Sequence, residues 1–190
     1  MIIQHTTRTG KAYYLHVGLR KNGKPHFYFA TDPLGSLADA LPEGFEIYEN
    51  VGGQVFLRRQ QPKLITDEEL ALVKEALKRH AEEWRYQVEI KKDALTIHEA
   101  ADNTAGLARI ALPGINRAAL RQSLIQHATY MAVLRFVLVD PEKRLFWTER
   151  FCFRGSVDDW ISIGGPVQKL PVLLKQFIKH LGNESIFELY

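Results

Sequence analysis

The stretch YMAVLRFVLVDPEKRLFWTERFCF, residues 130–153, reads as two long strands around a polar turn. Residues 130–139 and 144–153 are rich in β-branched and aromatic side chains, and Asp140-Pro141-Glu142-Lys143 supplies turn chemistry between them. The apolar run up to Val139 contains Arg135 and is too short to cross a bilayer as a helix. A hairpin of this length needs cover on its apolar side. That cover follows in the sequence, where Leu170, Leu173, Leu174, Phe177, Ile178 and Leu181 form one helical stripe. Gly182 is placed to end that helix, with Lys179 and His180 where its dipole favours cations.

Working outward, Ile65-Thr66-Asp67-Glu68-Glu69-Leu70 announces another helix. Thr66 and Glu69 are spaced as a capping box, and Ile65 and Leu70 as a hydrophobic staple. The apolar spacing Leu70, Val73, Leu77, Ala81, Trp84 predicts a helix ending near Glu83 or Trp84. Residues 86–91 and 94–99 read as a hairpin around Lys92-Asp93. Residues 100–106 are small and polar enough for an internal boundary, and 107–112 can form a strand after it. Asn116 can cap a helix through about His127, stapled by Ile115 and Leu120. In the first third, residues 12–19 and 26–30 flank Asn22-Gly23, which suits a two-residue type I′ turn. Residues 45–49 and 54–59 flank Gly52-Gly53 as a second pair.

These elements predict an α+β fold: antiparallel sheet elements with about three helices, the carboxy-terminal amphipathic helix packed on a hairpin-containing sheet. A β-rich lobe is expected over residues 1–61 and a helix–sheet–helix body over 62–190, or the two as one continuous domain. With 46% hydrophobic and 25% charged residues, the chain as a whole is neither disordered nor a coiled coil.

Pairing Asp140 with Lys143 across a two-residue turn sets the expected faces of the long hairpin. Leu138, Phe136, Leu134 and Ala132 then share a face with Leu145, Trp147, Glu149 and Phe151. Glu149 becomes the one charge on an apolar face, either ion-paired, at a rim, or a carboxylate of raised pKa. On the other face Arg135 and Arg150 become diagonal neighbours, with Arg154 just beyond. Guanidinium groups so clustered suit a phosphate or carboxylate, unless each pairs with Asp158, Asp159 or another acid.

The first hairpin supports a different reading. Residues 1–31 carry Arg8, Lys11, Arg20, Lys21 and Lys24 and no acid, against a net charge of only +3 for the whole chain. With the two-residue turn, Tyr14, His16, Phe27 and Phe29 share a face near Arg20, Lys21 and Lys24. Aromatic rings beside cations are what stacked single-stranded bases require. The expected nucleic-acid-binding residues are Tyr14, Arg20, Lys21, Lys24 and Phe29. Two other classes compete. One is a protein-interaction module or homodimer using an aromatic face or sheet edge. The other is an enzyme acting on an anionic substrate through Arg135, Arg150 and Arg154, with Glu149 as acid or base.

Other chemistries find no pattern. Cys152 is the only cysteine, so no intrachain disulfide or thiolate zinc cluster can form; set between Phe151 and Phe153, it reads as an inert buried thiol. The seven histidines show no ligand spacing, Asp158-Asp159 has no metal motif around it, and no metal is expected. Gly164-Gly165-Pro166 lacks both nucleotide-loop patterns, and no cofactor is expected. Residues 1–11 carry no apolar run of signal-peptide type, so a cytoplasmic setting without membrane contact is the expectation.

Two quoted stretches carry a resemblance. GKAYYLHVGLRKNGKPHFYFA with LPEGFEIYENVGGQVFLRR, and ERFCFRGSVDDWISIGGP with the run to HLGNESIFELY, resemble a family of uncharacterised bacterial proteins. The resemblance implies no activity and assigns no residue a role.

Overall fold

The computed structural model describes residues 2–101, 116–152 and 158–189, the side chains of Arg117 and Arg121 excepted. The chain divides into two compact units, Met1–Gln61 and Pro62–Tyr190. Both are built on antiparallel sheet, and the fold is α+β, with three α-helices among the described residues.

The first unit holds a three-stranded sheet in the order β1 (Gln4–Thr6), β2 (Ala12–Leu19), β3 (Pro25–Ala30). A separate hairpin joins β4 (Phe45–Glu49) to β5 (Val55–Arg59). All three hairpin connections use one device. In residues 7–11, 20–24 and 50–54 the first amide donates to the fifth carbonyl, and a glycine in fourth place donates to the first carbonyl. Those glycines, Gly10, Gly23 and Gly53, have φ of 82°, 76° and 75°. This is a three-residue loop, a type I turn closed by a glycine bulge. The expected type I′ turn at Asn22-Gly23 is therefore corrected, since among the described non-glycine residues only Lys92 and Arg144 have positive φ. Asn22 instead accepts the Lys24 amide through its side chain at 3.2 Å.

The second unit is a meander of β6 (Tyr86–Lys91), β7 (Ala94–Ala100), β8 (Tyr130–Asp140), β9 (Leu145–Cys152) and β10 (Asp159–Ser162) in that spatial order. The short β11 (Gln168–Lys169) also pairs with β9. One sheet face carries Leu95, Ile97, Leu134, Phe136, Leu138 and Phe146. These close a core with Val73 and Leu77 of α1 (Asp67–Lys78) and with Leu170, Leu173, Leu174 and Phe177 of α3 (Leu170–Phe177). Helix α2 (Arg117–His127) is capped by the Asn116 side chain, which accepts the Ala118 and Ala119 amides. Staple residue Ile115, the expected boundary at 100–106 and the strand at 107–112 lie wholly or mostly outside the described residues.

Helix α1 begins with the expected capping box: Glu69 N–H donates to Thr66 Oγ1, and Thr66 N–H to Glu69 Oε2. It ends at Lys78, short of the expected Glu83 or Trp84. The last turn tightens, with Arg79 and His80 amides bonding back three residues, and the His80 ring accepts the Glu82 amide and meets the Leu181 carbonyl. Trp84 falls in a following 3₁₀ turn, Glu83–Arg85.

Candidate functional site

In the first hairpin the three-residue loop moves the register by one from expectation. Leu15, Val17 and Leu19 lie opposite Phe29, Phe27 and Pro25, while Tyr14, His16 and Gly18 lie opposite Ala30, Tyr28 and His26. Residues paired across strands share a face, so Tyr14 and Phe29 are on opposite faces. The structure therefore does not bring together the two rings chosen from the sequence, and both are half-buried. A different set of rings is assembled. Tyr28 stacks on His16, with centroids 5.3 Å apart, and on His26, 5.6 Å apart. His16 is the buried end of this column, held at 3.0 Å to the Asp32 carbonyl, whereas Tyr28 and His26 are exposed. Gly18 places no side chain opposite His26.

The cations sit at the open end. Arg20 N–H donates to the Lys24 carbonyl at 2.9 Å, so this pair continues the ladder two residues beyond Gly18 and His26, on their side of the sheet. Arg20, Lys21 and Lys24 are exposed and have no acidic partner among the described residues.

The long hairpin in the second unit is also out of the expected register. Asp140 pairs with Leu145, not Lys143, and a bulge follows Leu138. Arg144 adopts φ of 50° in the four-residue loop, where its Nε donates to Glu69 Oε1 at 2.9 Å and its terminal nitrogen to the Leu64 carbonyl. These bonds tie the turn to α1, and within it the Lys143 amide donates to Asp140 Oδ1 at 2.8 Å. The observed register exchanges the faces. Leu134, Phe136 and Leu138 now share the core face with Arg150, Thr148 and Phe146, and Arg135 lies opposite Glu149.

Two expectations are corrected by that register. Glu149 is off the apolar face and ion-paired to Arg135 Nε, beneath no cluster of cations. Arg135 also lies over the Trp160 ring, 4.2 Å from its centroid. Arg150 is on the opposite face from Arg135, so the two cannot share an anion. It is 6% exposed, donates to the Phe187 carbonyl at 3.4 Å and leaves its Nε without a partner. Arg154 lies outside the described residues. Cys152 is a buried free thiol, and Asp158 and Asp159 are exposed.

The face away from the core carries a polar row that crosses five strands. Glu89, Thr96, Arg135, Glu149 and Ser162 are consecutive cross-strand partners. Beside it, His98 Nε2 is 3.5 Å from Glu89 Oε2. Burial pushes the Glu89 carboxyl up and the His98 imidazole down, so each is biased towards its neutral form. Sequence reading missed both, although the expected hairpin around Lys92-Asp93 has the observed register, which makes Glu89 and His98 diagonal neighbours. It also missed His26 and Tyr28 as the exposed pair, although His26, Tyr28 and Lys24 recur with the strand period.

Among the described residues, no three or more His, Cys, Asp or Glu side chains are placed to hold a metal ion. No described helix is long and apolar enough to cross a membrane. No protein-family model, curated protein or solved structure matches the chain.

Proposed function

We propose that the protein binds single-stranded nucleic acid through the β2–β3 hairpin, without catalysing a reaction on it. One observation carries this reading: a column of stacked rings, open at His26 and Tyr28, runs into a turn whose three cations have no acidic partner among the described residues. An unpaired base extends such a column by stacking, and the phosphates beside it meet Arg20, Lys21 and Lys24. Nothing in this arrangement reads a base edge, so weak sequence preference follows. A ligand of this kind is met in the cytoplasm, a setting that a sole, buried, reduced thiol also suits.

The test is a titration of labelled single-stranded RNA and DNA against the full chain at several salt concentrations. Three phosphate contacts on a single strand give a log–log salt slope of about −2. Replacing His26 or Tyr28 by Ala should weaken binding by about 1–3 kcal/mol, the usual worth of one base-on-ring stack. Phe29→Ala, on the other face, should leave affinity unchanged at temperatures where the variant is folded. Absent or salt-independent binding sinks the reading.

A second reading, an enzyme acting on an anionic substrate, is favoured by a half-buried Glu89 beside a buried His98, with opposed shifts. Against it, the nearest arginine of the row is already neutralised by Glu149.

A further inference from the structure

Between α1 and α3 lies an open groove of about 560 Å³ on the outer side of the helices. Its floor is apolar, formed by Leu72 and Ala76 of α1 and by Pro171 and Leu174 of α3, with Ile178 in the turn after it. Leu72 is 42% exposed, whereas Leu174 and Ile178 at the bottom of the groove are 5% and 7% exposed, so among the described residues of this unit the α1 side of the groove is the open one. The positions 72, 76 and 79, and likewise 171, 174 and 178, are spaced at one helical stripe each. Seven residues of helix extend about 10 Å, so two turns of a third helix can lie along the groove.

The rim is mainly cationic. Arg79, Lys175 and Lys179 line it, with His80 at the same end, and Glu75 is the only acid. Glu75 is itself engaged by Lys78 at 3.8 Å and Arg79 at 3.5 Å. Lys175 and Lys179 have no acidic partner among the described residues. The His80 ring meets the Leu181 carbonyl, which brings the carboxy-terminal ends of the two helices together and gathers the cations at one end. A second copy seated face to face with its helices parallel to these would bring the cations against their own equivalents, which disfavours that homodimer.

We infer that this groove docks an acidic amphipathic helix of a protein partner, its apolar stripe on Leu72, Ala76, Leu174 and Ile178 and its carboxylates on Arg79, Lys175 and Lys179. The surface is separate from the β2–β3 hairpin, and nucleic-acid binding is not needed for it. Helix-in-groove recognition uses anchors at i, i+3 or i+4, and i+7, which is the spacing the floor offers.

The test uses two fluorescent 16-residue helical peptides with the same leucine stripe, one flanked by Glu and one by Lys, titrated against the full chain by anisotropy. The acidic peptide should bind about ten-fold tighter than the basic one at low salt, a preference expected of opposite charges across a rim. In the Lys175→Glu/Lys179→Glu double variant the order should reverse. Both substitutions are on exposed positions, so the fold is retained, and circular dichroism verifies it. Leu72→Ser should weaken both peptides without altering which is preferred. The inference is overturned if neither peptide binds, if the preference fails to reverse, or if Leu72→Ser has no effect. It is equally overturned if sedimentation shows that the wild-type chain fills the groove with a second copy, or if dodecanoate displaces the acidic peptide and the charge-reversed variant still binds dodecanoate.

Discussion

Gly164 and Gly165 are neighbours with positive φ, 87° and 77°, yet they differ in what a side chain would meet. A Cβ on Gly164 would lie 2.1 Å from Cζ of Phe177, a fully buried ring of the core, whereas a Cβ on Gly165 would meet nothing within 4 Å. Gly165→Ala should therefore cost only the left-handed backbone penalty, about 1–2 kcal/mol. Gly164→Ala adds overpacking of Phe177 and should cost about 2–5 kcal/mol by urea denaturation. Equal costs would show that the Gly164 contact is not what holds the strand-to-helix turn. His98 supports a second prediction at this scale. Burial lowers its pKa from the ordinary 6.5, so the unfolded chain binds a proton more readily than the folded one. Its neutral form imposes no penalty above pH 6.5, and stability is lost as pH falls from 6.5 towards the folded value. Glu89 has the opposite sign: its raised pKa makes stability fall as pH rises from 4.5 towards the folded value. Lys91 acts on both groups, lowering each, and Arg135 faces the same side but is paired with Glu149. A plot of Tm against pH should flatten below 6.5 in His98→Gln, and an unchanged slope there would place the acid sensitivity elsewhere.

Helix α1 and the two long hairpins show which elements could be read in advance and which could not. The capping box at Thr66 and Glu69 was legible because both partners lie within four residues, and a local bond needs no knowledge of the rest of the fold. The same holds for Asn116 and for the stripe of α3. Strand positions were legible too, and so was the β6–β7 pairing around Lys92-Asp93, but the registers of β2–β3 and β8–β9 were not. Asn22-Gly23 satisfies a two-residue turn and a three-residue one about equally, and the difference moves every side chain of β3 to the other face. In the β8–β9 hairpin the longer turn goes with a contact 75 residues away, Arg144 on Glu69, which local sequence does not reveal. The register of this hairpin puts Arg150 on the core face and dissolves the expected arginine cluster. Glu69 thus serves two elements: it closes the cap of α1 and anchors the turn between β8 and β9, from a side chain only 11% exposed. The substitutions separate accordingly. Thr66→Ala should cost about 1 kcal/mol, as caps do. Glu69→Ala should cost about 2–4 kcal/mol, since it also strands the Arg144 guanidinium. Glu69→Gln, which can still cap, should fall between the two in thermal unfolding, and a Glu69→Ala cost equal to that of Thr66→Ala would mean that the anchor to Arg144 adds nothing.

At the scale of the whole molecule, the two units differ in how much apolar surface each closes for itself. The contiguous core runs from Ile65 to Ile186 and draws on four sheet strands, α1, α3 and the turns that follow it. All of its members belong to the second unit. In the first unit, Leu15, Ala38 and Val55 are the buried apolar side chains among the described residues, while Leu19, Tyr28 and Phe56 are 80%, 45% and 46% exposed. A unit of this length with so small an interior is marginal, because chain entropy grows with every ordered residue and burial does not keep pace. Its three glycine-closed turns lower the cost of pairing neighbouring strands, but they add no interior. Residues 62–190 produced without the first unit should therefore keep a single cooperative thermal transition and a near-native circular dichroism spectrum. Residues 1–61 produced alone should show a broad, weakly cooperative transition, sharpened by added single-stranded RNA, since a ligand that binds the folded form shifts its equilibrium. A sharp transition in the ligand-free first unit would refute this account of its interior. Sharpening by poly-glutamate in place of RNA would instead assign the cationic turn at residues 20–24 to acidic chains in general, and the ring column at His26 and Tyr28 would then have no part in recognition.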